Sequence, residues 1–112
     1  KDVGFQLLKA IEYLHSRGIV HTDVKTDNIL LTHGCDDKTV ESSNCLRVKL
    51  VDFGSALWDS EWHPNLVGTM QYRPPEAVLQ AGWSFPLDTW AVACVLCELA
   101  TGRKVFVLAH ND

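Results

Sequence analysis

The chain has 112 residues, 46% of them hydrophobic and 21% charged, with a formal net charge of -4. That balance is globular: it excludes a disordered tail and a membrane-embedded bundle, and the negative sign argues against direct nucleic-acid binding. A domain this small buries little surface and has a thin stability margin.

From Asp2 to Ser16 the apolar residues Val3, Leu7, Leu8, Ile11 and Leu14 recur at helical spacing, with Lys9, Glu12 and Arg17 on other faces. Gly18 then ends the helix. Ile19-Val20 is a short extended piece, and Ile29-Leu30-Leu31-Thr32 reads as a strand. Between them lies His21-Thr22-Asp23-Val24-Lys25-Thr26-Asp27-Asn28, which sets an acid, a lysine and an amide at short intervals.

From His33 to Asn44 the chain holds Gly34, Asp36, Asp37, Glu41, Ser42 and Ser43, a polar loop joining two antiparallel strands. His33, Cys35 and Cys45 fit no zinc-site spacing. The second strand, Arg47 to Val51, runs into Asp52-Phe53-Gly54. Ser55 to Tyr72 has little periodicity and reads as loop, with Trp58, Trp62, His63 and Pro64 scattered through it.

Pro75 suits a first helical turn, so a short helix is expected over Pro75 to Gln80, before Gly82. Ser84, Pro86 and Asp88 start another helix, closed by Gly102. Its Trp90 to Leu99 run is apolar on nearly every face apart from Glu98, and so belongs in a core; it is too short to span a bilayer. Cys94 and Cys97 in that run read as two buried thiols rather than a redox pair, and no signal peptide or disulfide framework accompanies the four cysteines. Free thiols in a reducing compartment are expected.

The ordered set Asp23, Lys25 and Asn28, then Asp52-Phe53-Gly54, then Pro74-Pro75-Glu76, then Asp88-Thr89-Trp90 resembles the catalytic loop, metal-binding signature, activation-segment end and following helix of protein kinases. Taken singly, Asp and Asn are residue types that turns and caps favour; their joint order points to chemistry. Thr22, Val51 to Ala56, Tyr72-Arg73 and Gly82-Trp83-Ser84 with Pro86 narrow the resemblance to the LAMMER (CDC-like) dual-specificity kinases. Thr26-Asp27, Met70 and Pro74 depart from that pattern, and Met70 removes a charge near the substrate groove.

The resemblance implies an α+β, protein-kinase-like fold: residues 1-112 as part of the large, mainly helical lobe, with a small antiparallel hairpin. No Gly-rich nucleotide loop, strand lysine or partner glutamate of a small lobe is present, so the chain alone is expected to be inactive. The complete protein would transfer the γ-phosphate of ATP to protein hydroxyls, with Mg2+, acting on basic or Ser/Arg-rich substrates such as splicing factors. ATP and those proteins are the implied partners, without nucleic acid or membrane. An intracellular place, nuclear and/or cytoplasmic, follows from the family alone.

Roles carry over by position. Asp23 would orient and deprotonate the substrate hydroxyl, Lys25 would neutralise the transferring phosphoryl group, and Asn28 and Asp52 would hold magnesium against the nucleotide. Thr69 would hydrogen-bond Asp23 and Lys25. His21, Gly54, Arg73, Glu76 and Asp88 would be structural, His21 as a core histidine and Asp88 as a buried acid bracing the loop backbone. Thr22 stands where many kinases carry an Arg that gathers a phosphate on the activation segment, so the segment is expected to be ordered by packing, with Trp58, Trp62 and Leu66 as candidates. Two other readings stand beside this one: a pseudokinase or scaffold that binds partners without catalysis, and a metal-dependent hydrolase using His21, Asp23 and Asp52.

Overall fold

The structure is a computed structural model that describes residues 2–33 and 46–107. Helix α1 spans Asp2–Ser16, as its apolar spacing predicts. Leu7, Ile11 and Leu14 form its buried stripe, while Leu8 points outward and is 47% exposed. Gly18 follows in the left-handed region with φ 77, a conformation other residues adopt only at a cost.

Strand β1, Ile19–Val20, precedes the Asp23 loop, and a single 3-10 turn, Thr26–Asn28, leads out of it into β2, Ile29–His33. Strand β3, Leu46–Leu50, pairs antiparallel with β2 in the register Ile29↔Leu50 to His33↔Leu46. The expected hairpin is therefore present; the polar loop expected between its strands, with Cys35 and Cys45, lies outside the described residues. Gln6 of α1 docks the hairpin: its Nε2 donates to Leu46 O (2.9 Å) and its Oε1 accepts from Val48 N (2.8 Å).

The stretch from Ser55 to Tyr72 is not all loop. Strand β4, Leu57–Trp58, pairs antiparallel with β1, and Met70–Tyr72 is a 3-10 turn. The β1 and β4 pairing matters for the site because it lays the chain after Asp52 against the chain before Asp23. Helix α2 covers Pro75–Val78, shorter than expected, and α3 covers Pro86–Thr101.

One core joins α1, α3 and the Asp23 loop through Leu7, Ile11, Val24, Tyr72, Ala91, Val92 and Val95. A second gathers Val20, Ala77, Trp83 and Leu87, with Leu57, Val67 and Phe85 packed on it. Helix α3 is less enclosed than its composition predicts. Ala91, Val92, Cys94 and Val95 are buried, but Leu99 is 54% exposed and Cys97 is an exposed free thiol. The expectation of two buried cysteines holds for Cys94 only; Cys97, about 60° round the axis from it, lies at the exposed edge of that face. Among the described residues no helix is long and apolar enough to cross a membrane.

Candidate active site

Asp88 lies at the start of α3 and is 1% exposed. Its carboxylate receives three donors: His21 N at 2.8 Å and His15 Nε2 at 3.0 Å on Oδ2, and Thr22 N at 3.0 Å on Oδ1. A buried carboxylate persists only with such bonds, and here they grip two consecutive backbone amides of the loop. Thr22 takes φ 73 under that grip, a region that β-branched residues rarely enter.

His21 is fully buried and joins three parts of the site. Its Nε2 donates to Val51 O (2.9 Å), its Nδ1 accepts from Asp23 N (3.1 Å), and its ring meets Phe53 edge-on at 4.9 Å. A carbonyl can only accept and an amide N–H can only donate, so the ring proton sits on Nε2. Both nitrogens are thereby committed to backbone, which suits a support and not a base.

Asp23 is left with its carboxylate facing Thr69 and Lys25. Thr69 Oγ1 donates to Asp23 Oδ1 (2.7 Å) and accepts from Lys25 Nζ (3.0 Å), while that ammonium lies 3.8 Å from Asp23 Oδ2. Asn28, 6% exposed, donates from Nδ2 to Asp23 O (2.8 Å) and more weakly to its Oδ2 (3.4 Å). Acid, cation, hydroxyl and amide therefore form one cluster.

Asp52 joins this cluster through the backbone, since Val51 N donates to Asn28 O (2.8 Å). It is exposed, has φ 62, and among the described residues its side chain accepts only a long bond, from Gly54 N to Oδ1 (3.3 Å). A carboxylate so lightly engaged, together with an amide whose nitrogen is held by Asp23 and whose oxygen is clear of that bond, fits a hard cation that keeps other ligands from phosphates and water. Among the described residues no three His, Cys, Asp or Glu side chains converge on a metal position. The hydrolase reading, which needs His21, Asp23 and Asp52 as a ligand set, has no such set.

The activation-segment residues are held differently from the expectation. Trp58, Trp62 and Leu66 are 52%, 82% and 54% exposed, so they do not order the segment by packing. Leu57 and Val67, packed on the second core, do so instead, together with polar contacts and a stack. His63 stacks on Trp83 with ring centroids 4.1 Å apart, and its two nitrogens face Trp83 O (3.1 Å) and Asp59 O (3.0 Å). Trp83 Nε1 donates to Pro64 O (2.8 Å) and Ser84 Oγ to Asp59 Oδ1 (2.7 Å). Arg73 donates from Nε to Val67 O (2.8 Å) and from Nη2 to Gly68 O (2.9 Å). Glu76 stands apart, in the first turn of α2.

The protein kinase domain family matches residues 1–112. The chain belongs to the protein kinase domain family. It is 40% identical over 115 residues to the dual specificity protein kinase lkh1 of Schizosaccharomyces pombe, covering 96% of this chain and 16% of that protein. It is 39% identical over 133 residues to the dual specificity protein kinase KNS1 of Saccharomyces cerevisiae, covering 97% and 18%. To the dual specificity protein kinase CLK2 of Homo sapiens it is 40% identical over 119 residues, covering 99% and 24%. The kinase chain thus spans less than a quarter of the length of these relatives. A kinase-domain crystal structure superposes with a TM-score of 0.77 at 33% identity, covering 97% of this chain and 37% of that one.

Two partnerships in this kinase chain escape a reading of motifs. His15 is one: it follows Leu7 and Ile11 at four-residue steps, so a polar residue continues an apolar stripe, and that is the signal of a buried partner. Glu98 is the other, the single charge in the apolar Trp90 to Leu99 run. It accepts a short bond from Tyr72 Oη at Oε1 and one from Thr26 Oγ1 at Oε2 (3.1 Å), with Lys104 Nζ 3.5 Å from Oε2. Lys104 also donates to Tyr72 Oη (2.9 Å), and that bond is the first cause of an ammonium held above the usual lysine range, with burial opposing it and the Tyr72 and Glu98 charges adding to it.

Proposed function

We propose that the complete protein carrying this chain transfers the γ-phosphate of ATP to serine or threonine hydroxyls of proteins, with dual specificity as in the named relatives. The observation that carries this is the Asp23, Lys25, Thr69 cluster: a carboxylate fixed by a hydroxyl at 2.7 Å and flanked by an ammonium at 3.8 Å. Asp23 is the group that orients and deprotonates the incoming hydroxyl, since its Oδ1 is held by Thr69 while Oδ2 has a long contact from Asn28 and the Lys25 ammonium 3.8 Å away. Lys25 supplies fixed positive charge beside the transferring phosphoryl group. Asn28 and Asp52 are the residues that hold Mg2+, and His21, Gly54, Arg73, Glu76 and Asp88 keep the backbone in shape. Bound magnesium neutralises charge on the nucleotide phosphates.

Basic, Ser/Arg-rich proteins remain the proposed substrates, on the family resemblance and on local charge. Of the acids Asp27, Asp59 and Glu61, Asp59 is tied to Ser84 and Glu61 accepts from Trp58 N at 2.8 Å. Asp27 is exposed beside the catalytic loop, so the electrostatic preference rests on it. Nuclear or cytoplasmic residence is likewise proposed from the family.

The test is phosphate incorporation by the complete purified protein with ATP and Mg2+, using matched serine peptides flanked by Arg or by Asp. Incorporation with a preference for the Arg peptide, reduced in Asp27→Asn and by added salt, is the expected result. ATP binding without any incorporation would instead establish the pseudokinase reading.

A further inference from the structure

We propose that Thr22 is a positioning residue whose hydroxyl clamps the chain after Asp52-Phe53-Gly54 onto the catalytic loop, holding the activation segment in working shape with no phosphate present. The inference rests on the kinase reading for what that shape is used for, but the clamp itself is a matter of geometry.

Thr22 is 3% exposed, and its Oγ1 donates to Ser55 O at 3.0 Å. Ser55 is the residue directly after Gly54, so this bond seizes the segment where it leaves the metal-binding signature. The direction of the hydroxyl is set by a backbone that the loop could not adopt cheaply by itself: Asp88 holds Thr22 N, and φ is 73 for a β-branched residue. Strain of this kind persists only where surrounding contacts determine it, and it concentrates at functional positions.

The returning arm of the segment meets the same residue. Gly68, with φ 77, packs so closely that a Cβ there would lie 2.9 Å from Thr22 O. Arg73 holds the carbonyls of Val67 and Gly68 in that place, and the next residue, Thr69, reaches Asp23. Both arms therefore converge on Thr22, one through its hydroxyl and one through its carbonyl. Two further backbone contacts continue the first arm: the β1 and β4 pairing, and Asp59 N donating to Gly18 O at 2.7 Å. An arginine at this position would need a charged partner on the segment; a threonine needs only a backbone carbonyl, which is always available.

The test uses the complete protein and three variants. Thr22→Val removes the donor while keeping shape and β-branching, Thr22→Ser keeps the donor, and Thr22→Gly removes the donor while relieving the positive φ. In Thr22→Val, hydrogen–deuterium exchange of peptides covering residues 55–59 should quicken about tenfold, with the α3 peptides unchanged. Turnover should fall about tenfold with little change in the KM for ATP, and Thr22→Ser should restore both. If Thr22→Val loses protection in α3 as well, Thr22→Gly decides, because its backbone is at ease and only the clamp is missing. Wild-type exchange over 55–59 in the folded variant lacking the hydroxyl overturns the proposal. A wild-type protein that transfers no phosphate overturns the kinase reading instead, and the exchange measurement still judges the clamp.

Discussion

Thr69 Oγ1 donates a 2.7 Å hydrogen bond to Asp23 Oδ1 across 46 positions of sequence. The same oxygen accepts from Lys25 Nζ at 3.0 Å, so one hydroxyl sets both the acid and the cation of the proposed reaction. Thr69→Val keeps the shape of the side chain and removes both bonds. Hydrogen bonds to charged groups contribute about 1.5–3 kcal/mol, so turnover of the complete protein should fall about ten- to a hundredfold. Steady-state phosphate transfer at saturating ATP checks this, with a melting curve to show that folding is retained.

The two carboxylates should respond differently. Asp23→Asn keeps an acceptor for Thr69 but loses the ion pair with Lys25 and cannot take a proton, and turnover should fall about a hundredfold or more. Asp52→Asn weakens the proposed magnesium ligand, which lies exposed, and should remove most activity, part of which returns at high Mg2+. A titration of Mg2+ against rate separates the two, because added metal should not rescue Asp23→Asn.

Asp88, buried with three donors on its carboxylate, should matter strongly for stability. Asp88→Ala leaves His15 Nε2, His21 N and Thr22 N without their acceptor. An unsatisfied buried group costs about 1–3 kcal/mol, so a loss on the order of 3–5 kcal/mol is expected once relaxation and water entry are allowed for. Asp88→Asn should lose less, since its one remaining oxygen still accepts. Urea unfolding of the complete protein monitored by tryptophan fluorescence gives both values.

How much of this was legible beforehand follows the range of each interaction. Helices α1 and α3 were visible because glycine, proline and apolar spacing act within a few residues, and the β2 and β3 hairpin because two apolar runs flank a polar loop. The order of the motifs pointed to Asp23, Lys25 and Asn28, which the structure gathers with Thr69 into one cluster; their catalytic role is the proposal above. The β1 and β4 ladder was not, since Leu57-Trp58 is too short for a period to appear and its pairing is set by the distant Ile19-Val20. The contacts of His63 were hidden for a related reason: both are to backbone carbonyls, whose availability no side-chain pattern records. Trp58 and Trp62 misled because large apolar residues suggest burial, whereas an exposed aromatic on a surface is common.

The two thiols of α3 should differ in reactivity. Burial raises the pKa of Cys94, with Cys97 and Glu98 adding to the shift, whereas Cys97 is exposed. The thiolate is the reactive form, so iodoacetamide at pH 8 should label Cys97 first and Cys94 only after unfolding. Peptide mass spectrometry of the folded and urea-treated 112-residue chain reads this directly.

The activation segment should work without phosphate. Many kinases order it by pairing an added phosphate with an arginine beside the catalytic Asp, and here that position is Thr22, buried and bonded to Ser55 O. Arg73 is the basic residue nearest to taking over such a role, but its Nε and Nη2 are already engaged by Val67 O and Gly68 O, and a phosphate would have to displace contacts that shape the segment. Ser60 is the exposed hydroxyl to watch. Its neighbours are held by Asp59 with Ser84 and by His63 stacked on Trp83, none of which uses a phosphate. Phosphatase treatment of the active complete protein, with mass spectrometry to verify that Ser60 and nearby hydroxyls are bare, should leave turnover within about twofold, since no charge-assisted bond is lost. His63→Ala should cost more than dephosphorylation does, because it removes the stack and the ring's hydrogen bond to a backbone carbonyl. A large fall on dephosphorylation, restored by rephosphorylation, would show that a phosphate contact orders the segment after all.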